Sequence, residues 1–258
     1  MSLVERRVDG PVMTITLNDQ LRRNALSDEL VLELDAAIDA ANDDPAIRVI
    51  IVTNSGTVFC AGANLRERSS PSTPAVALSD LFLKIRNSSK IFVGRIDGHC
   101  VAGGVGLAAV LDISVAVDTA TFGFSEVRVG VAPAIISVIC LPKMRFAAAQ
   151  SAFLRGHRFG AKEAVDAGLI TTSTPLESLD STVEEIVNDL LAGEPHALGA
   201  TKELLRAVPE LSLDEAFAWT SELSRQLFAR DEAREGMAAF FERRKASWVR
   251  RWPESDEN

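Results

Sequence analysis

The chain of 258 residues has few of the features that mark secreted or metal-binding proteins. It contains only three cysteines, with no C-x-x-C pair and no H-E-x-x-H motif, so neither a disulfide framework nor a metal site is expected. The histidines lie far apart in the sequence and give a metal site no further support. Cys60, Cys100 and Cys140 each stand in an apolar stretch, as expected of reduced thiols in the cytoplasm.

Long apolar runs and an excess of positive charge are absent too. No run reaches the roughly 18 apolar residues that a membrane-spanning helix needs, and residues 1–10 lack the apolar segment of a signal peptide. The net charge of -9 argues against a nucleic-acid partner, because nucleic-acid-binding surfaces are basic. We therefore expect a soluble cytoplasmic protein with no membrane or nucleic-acid partner. An anionic ligand would have to be held locally, by a few basic side chains or helix N-termini.

The sequence does contain a series of strand–helix units, followed by helices. Two β-rich runs around Asp9-Gly10-Pro11 predict a hairpin, and apolar spacing after Ser27 predicts a helix over about 28–41. Apolar runs at 48–53, 91–96 and 113–117 are typical of buried strands. This order predicts an α/β core with right-handed crossovers and a helical C-terminal part.

Two glycine-rich turns each follow a predicted strand, Ala61-Gly62-Ala63 and Ala102-Gly103-Gly104. Backbone N–H groups directed from two such turns at one point would stabilise an oxyanion, and losing one donor typically costs about 3–4 kcal/mol in the transition state. The second turn also begins a helix, whose N-terminus is the positive end of the helix dipole. The alternative is that these glycines only permit tight turns and close packing.

Four segments stand in a characteristic order: F-C-A-G-A-N-L at 59–65, D-G-H-C-V-A-G-G-V-G-L at 97–107, D-I-S-V-A at 112–116 and F-G-F-S-E-V-R-V-G-V-A-P at 122–133. They resemble the signature segments of the crotonase, or enoyl-CoA hydratase/isomerase, family, and R-R-N-A-L-S at 22–27 resembles its N-terminal motif. The resemblance covers nearly the whole chain. It implies a crotonase-like ββα spiral core with the CoA site over 1–194. It also implies a helical C-terminal region over 195–258 that builds homotrimers or dimers of trimers.

The resemblance further implies an acyl-CoA substrate, with CoA belonging to the substrate and no separate cofactor. The amides of Ala63 and Gly103 would hold the thioester oxygen, and the adenine would lie near Ala25. Arg22 or Arg23, together with Lys245, could meet CoA phosphates, either within one chain or across a subunit boundary. The residues expected to bind substrate are Ala25, Ala61, Gly62, Gly104, Gly106, Arg23 and Lys245.

The acid/base residues depart from the family pattern. Hydratases of the family commonly use two glutamates, and the first would fall three residues past the oxyanion donor, where this chain has Gly106. The second is present as Glu126. It lies in an apolar stretch, where burial would raise its pKa and allow proton exchange near neutral pH. The alternative is an exposed glutamate paired with Arg128.

The sequence leaves several functions open. Hydration of a 2-enoyl-CoA comes first, because the segment at 126–137 looks like that of bacterial family members named as hydratases. A Δ3-Δ2-enoyl-CoA isomerase follows, because Glu126 alone could remove and return its proton. A thioester hydrolase of the same family and a degenerate acyl-CoA-binding protein stay open. A dinucleotide site at Gly104-x-Gly106-x-x-Ala109 is disfavoured, since Asp118 follows sooner than the roughly 20 residues expected. Candidate acyl-pocket walls are Leu81, Ile85, Ile135 and Ile136, which could equally belong to the core.

Overall fold

The computed structural model describes residues 2–64 and 76–253, which form two β-sheets covered by helices. The strands are β1 Val4–Asp9, β2 Val12–Leu17, β3 Val49–Asn54, β4 Val58–Cys60, β5 Ile91–Ile96, β6 His99–Val101, β7 Ile113–Val117, β8 Thr121–Gly123, β9 Arg158–Gly160 and β10 Thr172–Thr174. The helices are α1 Asp28–Asp43, α2 Leu78–Asn87, α3 Gly103–Val110, α4 Ala134–Cys140, α5 Phe146–Arg155, α6 Ala161–Asp166, α7 Leu176–Ala192, α8 Pro195–Ala207, α9 Leu213–Phe228 and α10 Asp231–Glu242.

The larger sheet has the strand order β1-β2-β3-β5-β7-β10. The β1–β2 hairpin is antiparallel, and every other pair in this sheet is parallel. All six residues of β3 are buried, which fits the continuous apolar run that parallel strands show when both faces are covered. The predicted α/β core is confirmed.

Helix α1 shows how the local sequence sets an element. The Ser27 side chain accepts a hydrogen bond from the Leu30 N–H at 3.2 Å and so caps the first turn. Leu30, Leu34 and Ile38 recur at helical spacing and are fully buried against the sheet. The helix extends to Asp43, slightly beyond the predicted end, and Pro45 prevents its continuation.

The smaller sheet positions the site. Its order is β4-β6-β8-β9, and β4, β6 and β8 run parallel to one another. Parallel neighbours have their carboxyl ends at the same edge of a sheet, which is where open α/β sheets bind ligands. Here β4 leads into Ala61, β6 into Ala102 and β8 into Ser125. Three short strands therefore bring both glycine turns and the Glu126 segment to one edge.

The last third is mainly helical, as predicted, and α8 is tied to the core by a buried lysine. The Lys202 ammonium donates to the carbonyl oxygens of Ile85 and Lys90 at 2.9 and 3.0 Å, and pairs with Asp112 at 2.8 Å. Helices α9 and α10 bury little of their apolar surface within the chain. Within residues 2–64 and 76–253, no helix is long and apolar enough to cross a bilayer.

Candidate active site

A cavity of about 420 Å³ opens at the shared carboxyl edge of β4, β6 and β8. It brings together both predicted oxyanion turns and the predicted acid/base residue. Its lining consists of Ala61, Ala63, Leu78, Ala102, Gly103, Ser125, Glu126, Val129, Val131, Ala132, Pro133, Ala134, Ile135 and Ile136. Segments distant in sequence thus meet in one space.

The Ala61–Ala63 turn is held from one side by the segment around Arg23 and Leu26. Ala61 N–H donates to the Arg23 carbonyl at 3.1 Å, and Leu26 N–H donates to the Gly62 carbonyl at 2.7 Å. Gly62 has φ +85°, a left-handed conformation that strongly favours glycine. Within the described part of the chain, the Ala63 N–H donates to no protein acceptor. It is therefore available to a ligand in the cavity.

The second turn carries backbone strain at Ala102, which has φ 50° and ψ -120°. A non-glycine residue in such a conformation typically costs about 1–3 kcal/mol and often marks a functional site. Ala102 N–H donates to the Gly123 carbonyl at 2.8 Å, which fixes the turn against β8. Gly103 follows as the first residue of α3, and its N–H also has no protein acceptor among the described residues.

The two turns touch each other. A Cβ built on Gly62 would lie 2.9 Å from the Gly103 nitrogen, and one built on Gly103 would lie 3.5 Å from the Ala63 nitrogen. Both free N–H groups therefore stand at the same end of the cavity. That end is also the N-terminus of α3, where the helix dipole favours negative charge.

Glu126 enters the cavity from a turn of 3-10 helix at Ser125–Val129. Its Oε2 atom is buried and has no hydrogen-bond partner among the described residues. Burial raises the pKa of this carboxyl above its ordinary value, and a hydrogen bond from its own backbone N–H only partly opposes the shift. Arg128 does not pair with it, because that guanidinium donates to the carbonyls of Gly156 and Arg155 at 2.7 and 3.2 Å.

Gly104 and Gly106 do not line the cavity, although both were expected to contact substrate. A Cβ on Gly104 would collide with the Cys60 carbonyl. A Cβ on Gly106 would lie 2.5 Å from Ile136 Cγ2 and 3.1 Å from Phe82 Cε2. Both glycines therefore serve close packing of α3, and the place of the family's first glutamate is filled by Ile136.

The remaining predicted residues are distributed between the cavity and its surroundings. Ala61 lines the cavity, and Gly62 forms the turn beside it. Ala25 is buried between Arg23 and Leu26, which hold that turn, and Arg23 is exposed next to it. Lys245 is exposed beyond α10 and lies outside the cavity of this single chain.

The acyl-pocket candidates separate into two pairs. Ile135 and Ile136 line the cavity, whereas Leu81 and Ile85 are fully buried core residues of α2. Sequence reasoning missed Val129, Val131 and Pro133 as wall residues. The sequence signal that could have identified them is their position in the V-G-V-A-P run at 129–133, which begins three residues after Glu126.

Thiol and metal chemistry have little support here. Burial raises the pKa of the Cys60 thiol, next to the Ala61–Ala63 turn, to about 12, so it is not a ready nucleophile. In the portions of the chain that the structure describes, no group of His, Cys, Asp and Glu side chains could hold a metal ion.

Comparison with known proteins agrees with this architecture. The family model described as enoyl-CoA hydratase/isomerase matches residues 7–251. The chain belongs to the enoyl-CoA hydratase/isomerase family. It is therefore an enzyme of that family, for which acyl-CoA thioesters are the implied substrates.

Relatives and solved structures match along nearly the full length. A Thermus thermophilus protein named putative enoyl-CoA hydratase is 32% identical over 91% of this chain and 96% of its own length. The crystal structure of an enoyl-CoA hydratase from Mycobacterium smegmatis superposes with a TM-score of 0.91 at 27% identity, covering 96% of this chain and 99% of the other. A putative enoyl-CoA hydratase structure from Mycobacterium avium paratuberculosis is 39% identical, with a TM-score of 0.75 and coverage of 96% and 100%.

Gly106 gives a first test of the packing. Gly106→Ala should destabilise the protein by about 1–3 kcal/mol, because the new Cβ meets Ile136 Cγ2. A helical Gly→Ala change without such a clash should stabilise by up to about 1 kcal/mol. Urea unfolding measures the free energy of unfolding of each variant. Adding Ile136→Ala to Gly106→Ala should relieve part of the clash, so the double variant should lose less stability than the two single changes predict together. Gly160→Ala, at the end of strand β9, is the control for a Gly→Ala change without a clash, since a Cβ there meets nothing within 4 Å. Equal stability of Gly106→Ala and Gly160→Ala would contradict this account.

Glu126 gives a second test through the pH dependence of stability. Because its pKa is raised in the fold, ionisation destabilises the folded state as pH rises from about 4.5 through the folded pKa. Glu126→Gln should therefore melt at a higher temperature than the parent at pH 7, because the amide carries no charge that burial would destabilise. The difference should vanish near pH 4. Glu163→Gln, on an exposed position of α6, is the control for a surface Glu-to-Gln change measured over the same pH range.

Proposed function

We propose that this enzyme adds water to the double bond of a 2-enoyl-CoA thioester, with Glu126 as its single acid/base. The observation that carries the proposal is the buried, unpartnered Oε2 of Glu126 in the cavity that also receives the Ala63 and Gly103 N–H groups. The names of the relatives agree with hydration, among them the Thermus thermophilus protein.

In this mechanism the thioester oxygen accepts hydrogen bonds from the N–H groups of Ala63 and Gly103. Negative charge grows on that oxygen as water adds to the β-carbon, because the electrons of the double bond shift toward the carbonyl. The two N–H groups and the N-terminus of α3 stabilise this charge in place, without reorganisation. This oxyanion hole makes the β-carbon electrophilic.

Glu126 transfers the proton in this mechanism. As its carboxylate it accepts a proton from the attacking water, whose oxygen bonds to the β-carbon. As the carboxylic acid it then donates that proton to the α-carbon, so that one water supplies both the H and the OH of the product. A pKa raised by burial brings the acid and base forms of Glu126 closer in free energy near neutral pH, which suits a group that must do both.

The CoA portion would lie outside the acyl cavity. Ala25, Ala61 and Gly62 would border the adenine, and Arg23 and Lys245 would contact phosphates, as the family resemblance implies. CoA is part of the substrate in this scheme, and the proposed chemistry uses no separate cofactor.

Δ3-Δ2 isomerisation is the second candidate, and the packing at Gly106 favours it. Ile136 fills the space where a second carboxylate would stand. Glu126 is the sole ionisable group of the cavity lining in the described residues. One carboxylate suffices to remove the α-proton of a 3-enoyl-CoA and return it at the γ-carbon, whereas hydration must also position a water molecule.

Glu126→Gln should reduce turnover by at least about 100-fold, the usual scale for loss of a general acid/base. The assay uses crotonyl-CoA for hydration and 3-hexenoyl-CoA for isomerisation, with Glu163→Gln as the control that keeps full activity. Turnover of crotonyl-CoA supports the hydratase, and turnover of 3-hexenoyl-CoA alone supports the isomerase. Unchanged activity in Glu126→Gln contradicts the assigned base. Tight binding of both thioesters without turnover identifies a binding protein instead.

We further propose that the chain assembles as a homotrimer or a dimer of trimers through its C-terminal helices. Phe217, Phe228, Phe240 and Phe241 are all more than 60% exposed in the single chain. Light scattering should give a mass three or six times that of the 27.8 kDa chain. Replacing Phe240 and Phe241 together by serine should lower that mass, because their apolar surface would no longer favour association. A monomeric parent protein contradicts the proposal.

A further inference from the structure

We infer that the site takes an uncharged hydrocarbon acyl group, and that Ile136 sets how far this group extends. The inference rests on the proposed function, because it treats the cavity as the acyl site of a CoA thioester. It concerns which acyl groups fit, and it holds for hydration and isomerisation alike.

The cavity walls are almost entirely apolar. Beyond the two turns, the apolar residues of the described lining are Leu78, Val129, Val131, Ala132, Pro133, Ala134, Ile135 and Ile136. Among the described lining residues, polar side chains are limited to Ser125 and Glu126, neighbours on a single turn. A carboxylate at the end of an acyl chain would lose its hydration there, would meet no described cation and would be repelled by Glu126. A hydrocarbon chain suffers none of these costs.

Ile136 is the deep wall and Ile135 stands at the mouth. Ile136 is 3% exposed, whereas Ile135 is 50% exposed, although both line the same cavity. The Ile136 side chain is seated on Gly106, with the edge of Phe82 behind it. Ile136 thus separates the cavity from Gly106 of α3 and from Phe82 of α2.

The position of this wall along α3 relates it to the reacting carbons. Gly106 lies three residues after Gly103, so the two share a helix face and are separated by about 4.5 Å along the axis. An acyl chain that leaves a thioester oxygen at the Gly103 N–H and runs along this face of α3 would reach Ile136 about one helical turn farther on, a few carbons beyond the carbonyl.

Ile136→Val is a gentle probe of this wall. It removes only Cδ1 and keeps Cβ and Cγ2, the atoms that face Gly106. The matched control is Ile139→Val on the same helix, because Ile139 is also buried but lines a different cavity. Both changes delete one carbon from α4, so a general loosening of that helix would affect them equally.

The experiment measures binding by calorimetry, using free CoA and saturated, unreactive thioesters from acetyl-CoA to octanoyl-CoA, with adipyl-CoA beside hexanoyl-CoA. Hexanoyl and adipyl chains have six carbons each and differ in the terminal carboxylate. We expect affinity to rise about fourfold per methylene and then level off. Hexanoyl-CoA should bind at least about tenfold more tightly than adipyl-CoA. In Ile136→Val the plateau should move about one carbon farther, and in Ile139→Val it should stay.

The outcomes separate this inference from the proposed function. If thioesters bind better than free CoA but adipyl-CoA matches hexanoyl-CoA, the hydrocarbon preference is overturned while the acyl-CoA site stands. If both valine variants shift the plateau equally, Ile136 is not the limiting wall. If no thioester binds better than free CoA, the proposed function fails together with the inference.

Discussion

The site depends on the contact between two backbone turns that belong to different strands. A side chain on Gly62 would meet the Val101 carbonyl at 2.7 Å and the Gly103 nitrogen at 2.9 Å, so only glycine allows the turns to close. Once they are closed, the N–H groups of Ala63 and Gly103 lie at one end of one cavity. The strained conformation of Ala102 persists because β8 holds its N–H and α3 begins directly after it. The parallel order of β4, β6 and β8 makes this contact possible.

The carboxyl edge of β4, β6 and β8 also determines the distribution of charge in the site. The N-terminus of α3 and two free N–H groups form a positive end, and Glu126 supplies negative charge from the 3-10 turn that follows β8. Water exclusion strengthens each of these interactions, but it also destabilises the ionised carboxylate of Glu126. In the proposed reaction, the substrate oxygen that becomes negative complements the positive end, while the carboxylate is neutralised by accepting a proton. The folded protein is thus strained at Ala102 and destabilised at Glu126, and both features are located where the chemistry needs them.

Much of the fold and part of the candidate site could be predicted from the sequence. The strands at Ile91–Ile96 and Ile113–Val117 and the Ser27 cap follow from local patterns that the structure reproduces. The meeting of residues 63, 103 and 126 followed from a family resemblance, because no local pattern tells which strands will be neighbours. Strands β9 and β10, three residues each, are too short to give a periodic signal. The packing of Ile136 on Gly106 depends on contacts between two helices, which spacing within either helix does not reveal.

The packing of Ile136 on Gly106 bears most directly on the chemistry of the site. A glutamate at position 106 would need the space of Ile136, so the chain holds either a second carboxylate or an apolar wall at this point, but not both. With the wall in place, the cavity gains apolar contact for an acyl group and loses a polar anchor for water. In the proposed hydration, water would be oriented by Glu126 and by the substrate itself, which requires a closely held acyl chain. An apolar wall at Ile136 and a single carboxylate then go together, and selectivity for the acyl group becomes part of positioning the reactants.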